Sequence, residues 1–79
     1  MAHVTERERI AAEVRAELAR QGKTQRQTAE LVGMTQQALQ MRLAGTRSFR
    51  AEEIAKLAEM LGVSVEQFLP APTAAVDAA

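Results

Sequence analysis

Thr24 and Thr35 each stand just before a short run of helix-forming residues, and one glycine, Gly33, separates the two runs. Thr24-x-x-Gln27 has the spacing of a capping box, in which a hydroxyl and an amide satisfy free backbone N–H groups at a helix start. Thr35 has the place of an N-cap before residues 36–44, and Gly45 ends that run. The pattern predicts two short helices joined by one tight turn, with Gly33 supplying the positive φ that the turn needs. Helices this short are unstable alone, so the rest of the chain has to cover them.

That cover is visible on both sides. Ile10, Val14 and Leu18 fall four apart, with Ala11 beside them, on an Ala-, Glu- and Arg-rich segment from about Thr5 to Arg20, which predicts an amphipathic first helix ended by Gln21 and Gly22. After a polar link, residues 46–49, anchored by Phe49, the residues Ile54, Leu57, Ala58 and Leu61 follow the i, i+3, i+4, i+7 pattern of a fourth helix over 50–61. Gly62 caps it. Ser64-x-x-Gln67 then predicts a last short helix carrying Phe68 and Leu69, which Pro70 blocks. The expected fold is all-α, a compact five-helix bundle without strands, with residues 1–70 as the domain and 71–79 as a flexible tail.

The 79 residues are 47% hydrophobic, enough for one small core without disulfides or metal. Cysteine is absent, which removes a disulfide framework and a thiol nucleophile and fits a reducing compartment. A charged N-terminus and the lack of a long apolar run lead to the expectation of a cytoplasmic chain with no membrane partner. Net charge is zero, yet its distribution is uneven: residues 20–50 hold six Lys/Arg against Glu30 alone, a net +5, while residues 51–79 are net −4. A local basic surface attracts a phosphate backbone, and acids more than about 8 to 10 Å away are screened from it.

The stretch QRQTAELVGMTQQALQMRLAG, residues 25–45, resembles the Cro and phage-repressor type of helix-turn-helix protein, the XRE family, and especially the repressors of lambdoid phages. Gln25, Ala29, Gly33, Met34, Thr35-Gln36-Gln37, Leu39 and Gly45 carry the likeness, which extends to GVSVEQFLP and covers roughly residues 10–69. Ala29 permits close helix packing, and Leu39 with Leu31 is expected to fill the space between the two motif helices. The resemblance implies a lambda repressor-like fold and a DNA-binding transcription regulator of bacterial or phage origin, acting on operator DNA. It implies that the second motif helix enters the major groove by its N-terminal half, which Gln36, Gln37, Gln40 and Met41 line.

A glutamine amide pairs bidentately with the N6 and N7 edge of adenine and discriminates by about 1 to 3 kcal/mol. Glutamine is also an ordinary residue of solvated helix faces, and only its place in the motif favours a reading role. The resemblance implies base contacts from Gln36 and Gln37, and a phosphate contact from Gln25 that also braces Gln36. Gln40 and Met41 are further candidates, Met41 either meeting a thymine methyl or lying against the core. Backbone contacts are expected from Lys23, Gln25, Arg26, Thr35, Thr46, Arg47, Ser48 and Arg50, with free N–H groups at the helix starts beside Gln25 and Gln36. Arg42 stands where many relatives have an apolar residue and Leu43 where many have Glu. Either the helix is rotated slightly or Arg42 snorkels past the core.

Catalytic, metal-binding and small-molecule machinery is not evident. His3 is the single histidine, and the adjacent Glu52 and Glu53 point about 100° apart on a helix, fitting an acidic first turn rather than a catalytic pair. Phe49 and Phe68, the only aromatics, lie beside apolar segments and are expected to pack in the core. The chain is therefore expected to be no enzyme and to need no cofactor. The partner that the resemblance implies is double-stranded DNA, and any homodimer, weak or DNA-induced, would use the last helix with Phe68 and Leu69, or the first helix. An antitoxin-type protein-interaction module of the same fold is the competing expectation, with a toxin bound by the tail or the acidic C-terminal side. The absence of a long extension or second domain favours a minimal Cro-like regulator.

Overall fold

Thr5 opens the first helix in the computed structural model, which describes residues 5–69. Its hydroxyl accepts from the Glu8 N–H at 3.1 Å, and the Glu8 carboxylate accepts from the Thr5 N–H at 3.0 Å, a complete capping box. Helix α1 runs Glu6–Gln21 and ends at Gly22, after which the Lys23 N–H returns to the Leu18 carbonyl at 2.9 Å. Thr24 and Gln27 form the expected reciprocal pair at the start of α2, Gln25–Val32. Gly33 follows at φ 74, and Thr35 caps α3, Gln36–Leu43, with Ala44 as its C-cap. Helix α4 spans Ala51–Leu61. Residues 1–4 and 70–79, with the expectations for His3, Pro70 and the tail, lie outside the described residues.

The core is built where the spacing placed it. Ala11, Val14 and Leu18 of α1 and all four stripe residues of α4 are buried, Leu39 is fully enclosed, and Phe68 closes the base. Phe49 is half-buried and packs on this cluster. Helix α3 lies against α2 and α1, and α4 lies against α1 and α2. No strand occurs among the described residues.

Two expectations are corrected. Leu31 does not join Leu39 between the motif helices: it is 44% exposed, and Val32 is buried instead. The buried face of α2 is set by Thr28, Ala29 and Val32 at i, i+1, i+4, and Leu31 falls off that arc. The fifth helix is a single 3₁₀ turn, Val65–Gln67, so the chain has four α-helices among the described residues. Ser64 caps it by accepting from the Glu66 N–H at 3.2 Å, while the Gln67 side chain leaves the turn and donates to Glu17 at 2.6 Å. Phe68 is buried as expected, but Leu69 is exposed.

Glu17 is the polar joint of the bundle. Its buried carboxylate accepts from Arg20 at 2.6 Å, Gln21 at 2.7 Å and Gln67 at 2.6 Å, and Gln21 also donates to the Leu61 carbonyl at 2.8 Å. The ends of α1 and α4 and the 3₁₀ turn are thereby tied together. Hydrogen bonds from Arg20 and then Gln21 hold the Glu17 carboxyl below the usual carboxylate range, against the opposing effect of burial.

Candidate nucleic-acid interface

Helix α3 sends Leu39 and Leu43 into the core, and this fixes what it shows to solvent. Gln36, Gln37, Gln40 and Met41 span an arc of about 140° on the helix, two i, i+4 pairs side by side. The three glutamines are exposed. Met41 is half-buried but is not among the side chains packed on the apolar core, so it does not lie against the core as one expectation had it. The Thr35 hydroxyl accepts from the Ala38 N–H at 3.0 Å, which leaves the Gln36 and Gln37 N–H groups open at the positive end of the helix.

Arg42 is neither a sign of rotation nor a free cation. Leu43 is buried, and Arg42 donates from Nε to Glu53 Oε1 at 2.9 Å and from a terminal nitrogen to the Ala38 carbonyl at 3.1 Å. Its charge is held between α3 and α4. Arg20 is likewise paired with Glu17, so the basic central segment loses two of its six cations to internal pairs. Lys23, Arg26, Arg47 and Arg50 form no ion pair among the described residues, and all but half-buried Lys23 are exposed. They stand at the start of α2 and in the link that follows the C-terminal end of α3.

The seven glutamines divide by use. Gln21, Gln27 and Gln67 commit their amides to structural hydrogen bonds. Gln25, Gln36, Gln37 and Gln40 hold no side-chain hydrogen bond among the described residues, and all four lie on the two-helix motif. Gln25 therefore does not brace Gln36 directly here. Thr46 donates its hydroxyl to the Met41 carbonyl at 2.9 Å, and its own N–H and that of Arg47 reach the same carbonyl at 3.1 and 3.3 Å. These bonds curl the link back onto α3, leaving Arg47 and Ser48 at the surface.

Two contributors escape sequence reading. Arg7 and Arg15 of α1 reach carbonyls at the end of α3, a contact that no local pattern signals because the partners are 38 and 28 positions apart.

The family model described as Helix-turn-helix matches residues 14–68. The chain belongs to the XRE-type helix-turn-helix family. The family and fold are those of DNA-binding transcription regulators rather than enzymes, and the fold implies double-stranded DNA as partner. Among solved structures, this helix-turn-helix chain is similar to the clp gene regulator ClgR from Corynebacterium glutamicum, at 27% identity over 84% of this chain and 86% of that one, with a TM-score of 0.78. The DNA-binding domain of BldD, at 22% identity over 87% of this chain and all of that one (100%), has a TM-score of 0.73. A hypothetical transcription factor, NHTF from Neisseria, at 22% identity over 91% and 87%, has a TM-score of 0.77. The latter two show the fold alone. A search of curated protein sequences returns no match. Among the described residues no helix is long and apolar enough to cross a membrane.

Proposed function

We propose that this helix-turn-helix protein is a sequence-specific transcription regulator of the Cro or repressor kind, which binds operator DNA by laying α3 in the major groove. Gln36 and Gln37 read base edges, with Gln40 and Met41 beside them. Lys23, Gln25, Arg26, Thr35, Thr46, Arg47, Ser48 and Arg50 hold the phosphate backbone. The observation that carries this is the division of the glutamines. Every glutamine outside the predicted DNA contacts has its amide engaged, and the four on the predicted surface have theirs open. An open amide can offer donor and acceptor together to an adenine edge. The four unpaired cations flanking the helix supply the salt-dependent part of affinity.

Selection of bound duplexes from random DNA, followed by titration at several salt concentrations, tests the reading. An enriched sequence containing adenines at fixed spacing is expected, with affinity falling steeply as salt rises. Recovery of no preferred sequence would reject it.

A further inference from the structure

Two arginines of α1 hold the far end of α3. Arg7 Nε donates to the Gly45 carbonyl at 2.7 Å, and Arg15 donates to the Leu43 carbonyl. Leu43 is the last residue of α3, so its carbonyl is among those a helix end leaves without an intrahelical donor, and a cation there also meets the negative end of the helix. The backbone comes close to α1 at this point. Gly45 is buried at φ +83, and a methyl group on it would stand 3.2 Å from Glu8 Cγ. From the same turn the N–H groups of Gly45, Thr46 and Arg47 fold back on the Arg42 and Met41 carbonyls. The segment that begins here carries Thr46, Arg47, Ser48 and Arg50.

We infer that Arg7 and Arg15 are positioning residues of the DNA-binding surface. They fix the end of α3 and the phosphate-facing link against α1 and touch no nucleic acid themselves. This rests on the proposed reading of α3 as the recognition helix. Both guanidinium groups donate to backbone carbonyls at the end of α3, and a role through geometry alone requires that their removal leave the salt slope unchanged.

The test uses the full chain with Arg7→Gln, Arg15→Gln and the double substitution. Amide hydrogen exchange is measured without DNA, and binding is measured at several salt concentrations on the selected duplex and on its single-base variants. Exchange at Gly45, Thr46 and Arg47 is expected to quicken, while Gly62 and Val63 at the other end keep their protection. The double variant is expected to bind about tenfold more weakly, within the range for residues that act through a network without touching the ligand. It also loses discrimination between duplexes and keeps the wild-type salt slope. A slope shallower by about one per arginine would make them phosphate contacts and overturn the inference. Unchanged exchange, or unchanged affinity and discrimination, overturns it equally. If the glutamine variants unfold, Arg7→Lys and Arg15→Lys, which keep the charge and lose the planar fork, are read by exchange and discrimination: loss of both supports positioning, and wild-type values of both overturn it. A wild-type chain that selects no duplex rejects the recognition reading alone, and the exchange comparison then decides for or against the arginines.

Discussion

Replacing Arg42 by methionine tests the seating of α3. The Arg42–Glu53 pair is 2.9 Å long with each side chain 17% exposed, and Arg42 also donates to the Ala38 carbonyl at 3.1 Å. Such a pair lies between exposed pairs, worth about 0 to 1 kcal/mol, and buried ones, whose rupture costs about 3 to 5 kcal/mol. Two features place it nearer the lower bound. Glu53 keeps the bond from the Arg50 N–H at 2.8 Å, and methionine keeps the apolar stem of the side chain. A loss of about 1 to 2 kcal/mol follows from those limits, a fall in Tm of about 5 to 15 °C for a domain this small. Glu53→Gln should cost a similar amount, and the double substitution less than both together, with a coupling of about 0.5 to 1.5 kcal/mol.

The assay pairs thermal unfolding with DNA titration across salt. Because the guanidinium faces α4, Arg42→Met leaves the salt slope unchanged while Tm falls. The opposite pattern, an unchanged Tm with a slope lower by about one, would put Arg42 on phosphate. It would refute the orientation of α3 argued from buried Leu39 and Leu43.

Gln37→Ala is expected to relax preference at one base position by about 1 to 3 kcal/mol, read by competition among single-base duplex variants, whereas Arg47→Ala weakens all duplexes alike and lowers the salt slope by about one. Leu39→Ala should cost about 2 to 5 kcal/mol in denaturant unfolding, while Leu31→Ala changes stability by less than about 0.5 kcal/mol; equal costs would contradict the observed face of α2. The Glu17 carboxyl is held below its ordinary range, so its contribution is complete above the ordinary glutamate value and is lost as pH falls through the lower folded value. Glu17→Gln should therefore lower the urea midpoint at neutral pH and flatten its acid dependence, and an unaltered acid dependence would show the joint to be inert.

The elements were legible because their signals are local. A threonine three residues before its partner, a glycine after an apolar stripe and a four-residue hydrophobic period each act within one or two turns, and α1, α2, α3, α4, Gly33, Leu39 and Phe68 all lie where such signals put them. The failures share the opposite property. Leu31 and Val32 are adjacent and both apolar, so only the register of α2 against α3 chooses between them. Ser64-x-x-Gln67 satisfies the capping spacing, but Gln67 finds Glu17, 50 positions away, and the turn closes as 3₁₀ instead. Glu17 carries no local signal of its role, because one of its three partners, Gln67, lies 50 positions away.

The same distinction governs the charges, and it changes what a neutral chain implies. Counting by segment gave a basic middle third, but a count cannot tell a cation facing solvent from one already neutralised. The structure removes Arg20 and Arg42 from that segment by pairing them with Glu17 and Glu53, acids from the flanking segments. Arg7 and Arg15, which lie before that segment, are turned onto carbonyls. What is left unpaired in residues 20–50 is smaller than +5: Lys23 and Arg26 precede the exposed glutamines of α3 in the chain, and Arg47 and Arg50 follow them. Internal pairing thus takes Arg42 between α3 and α4 and Arg20 within α1, and leaves Lys23, Arg26, Arg47 and Arg50 of that segment open. For a small bundle of zero net charge, the map of unpaired cations is therefore the quantity that bears on nucleic-acid binding, and the variants of Arg42 and Arg47 separate the two kinds.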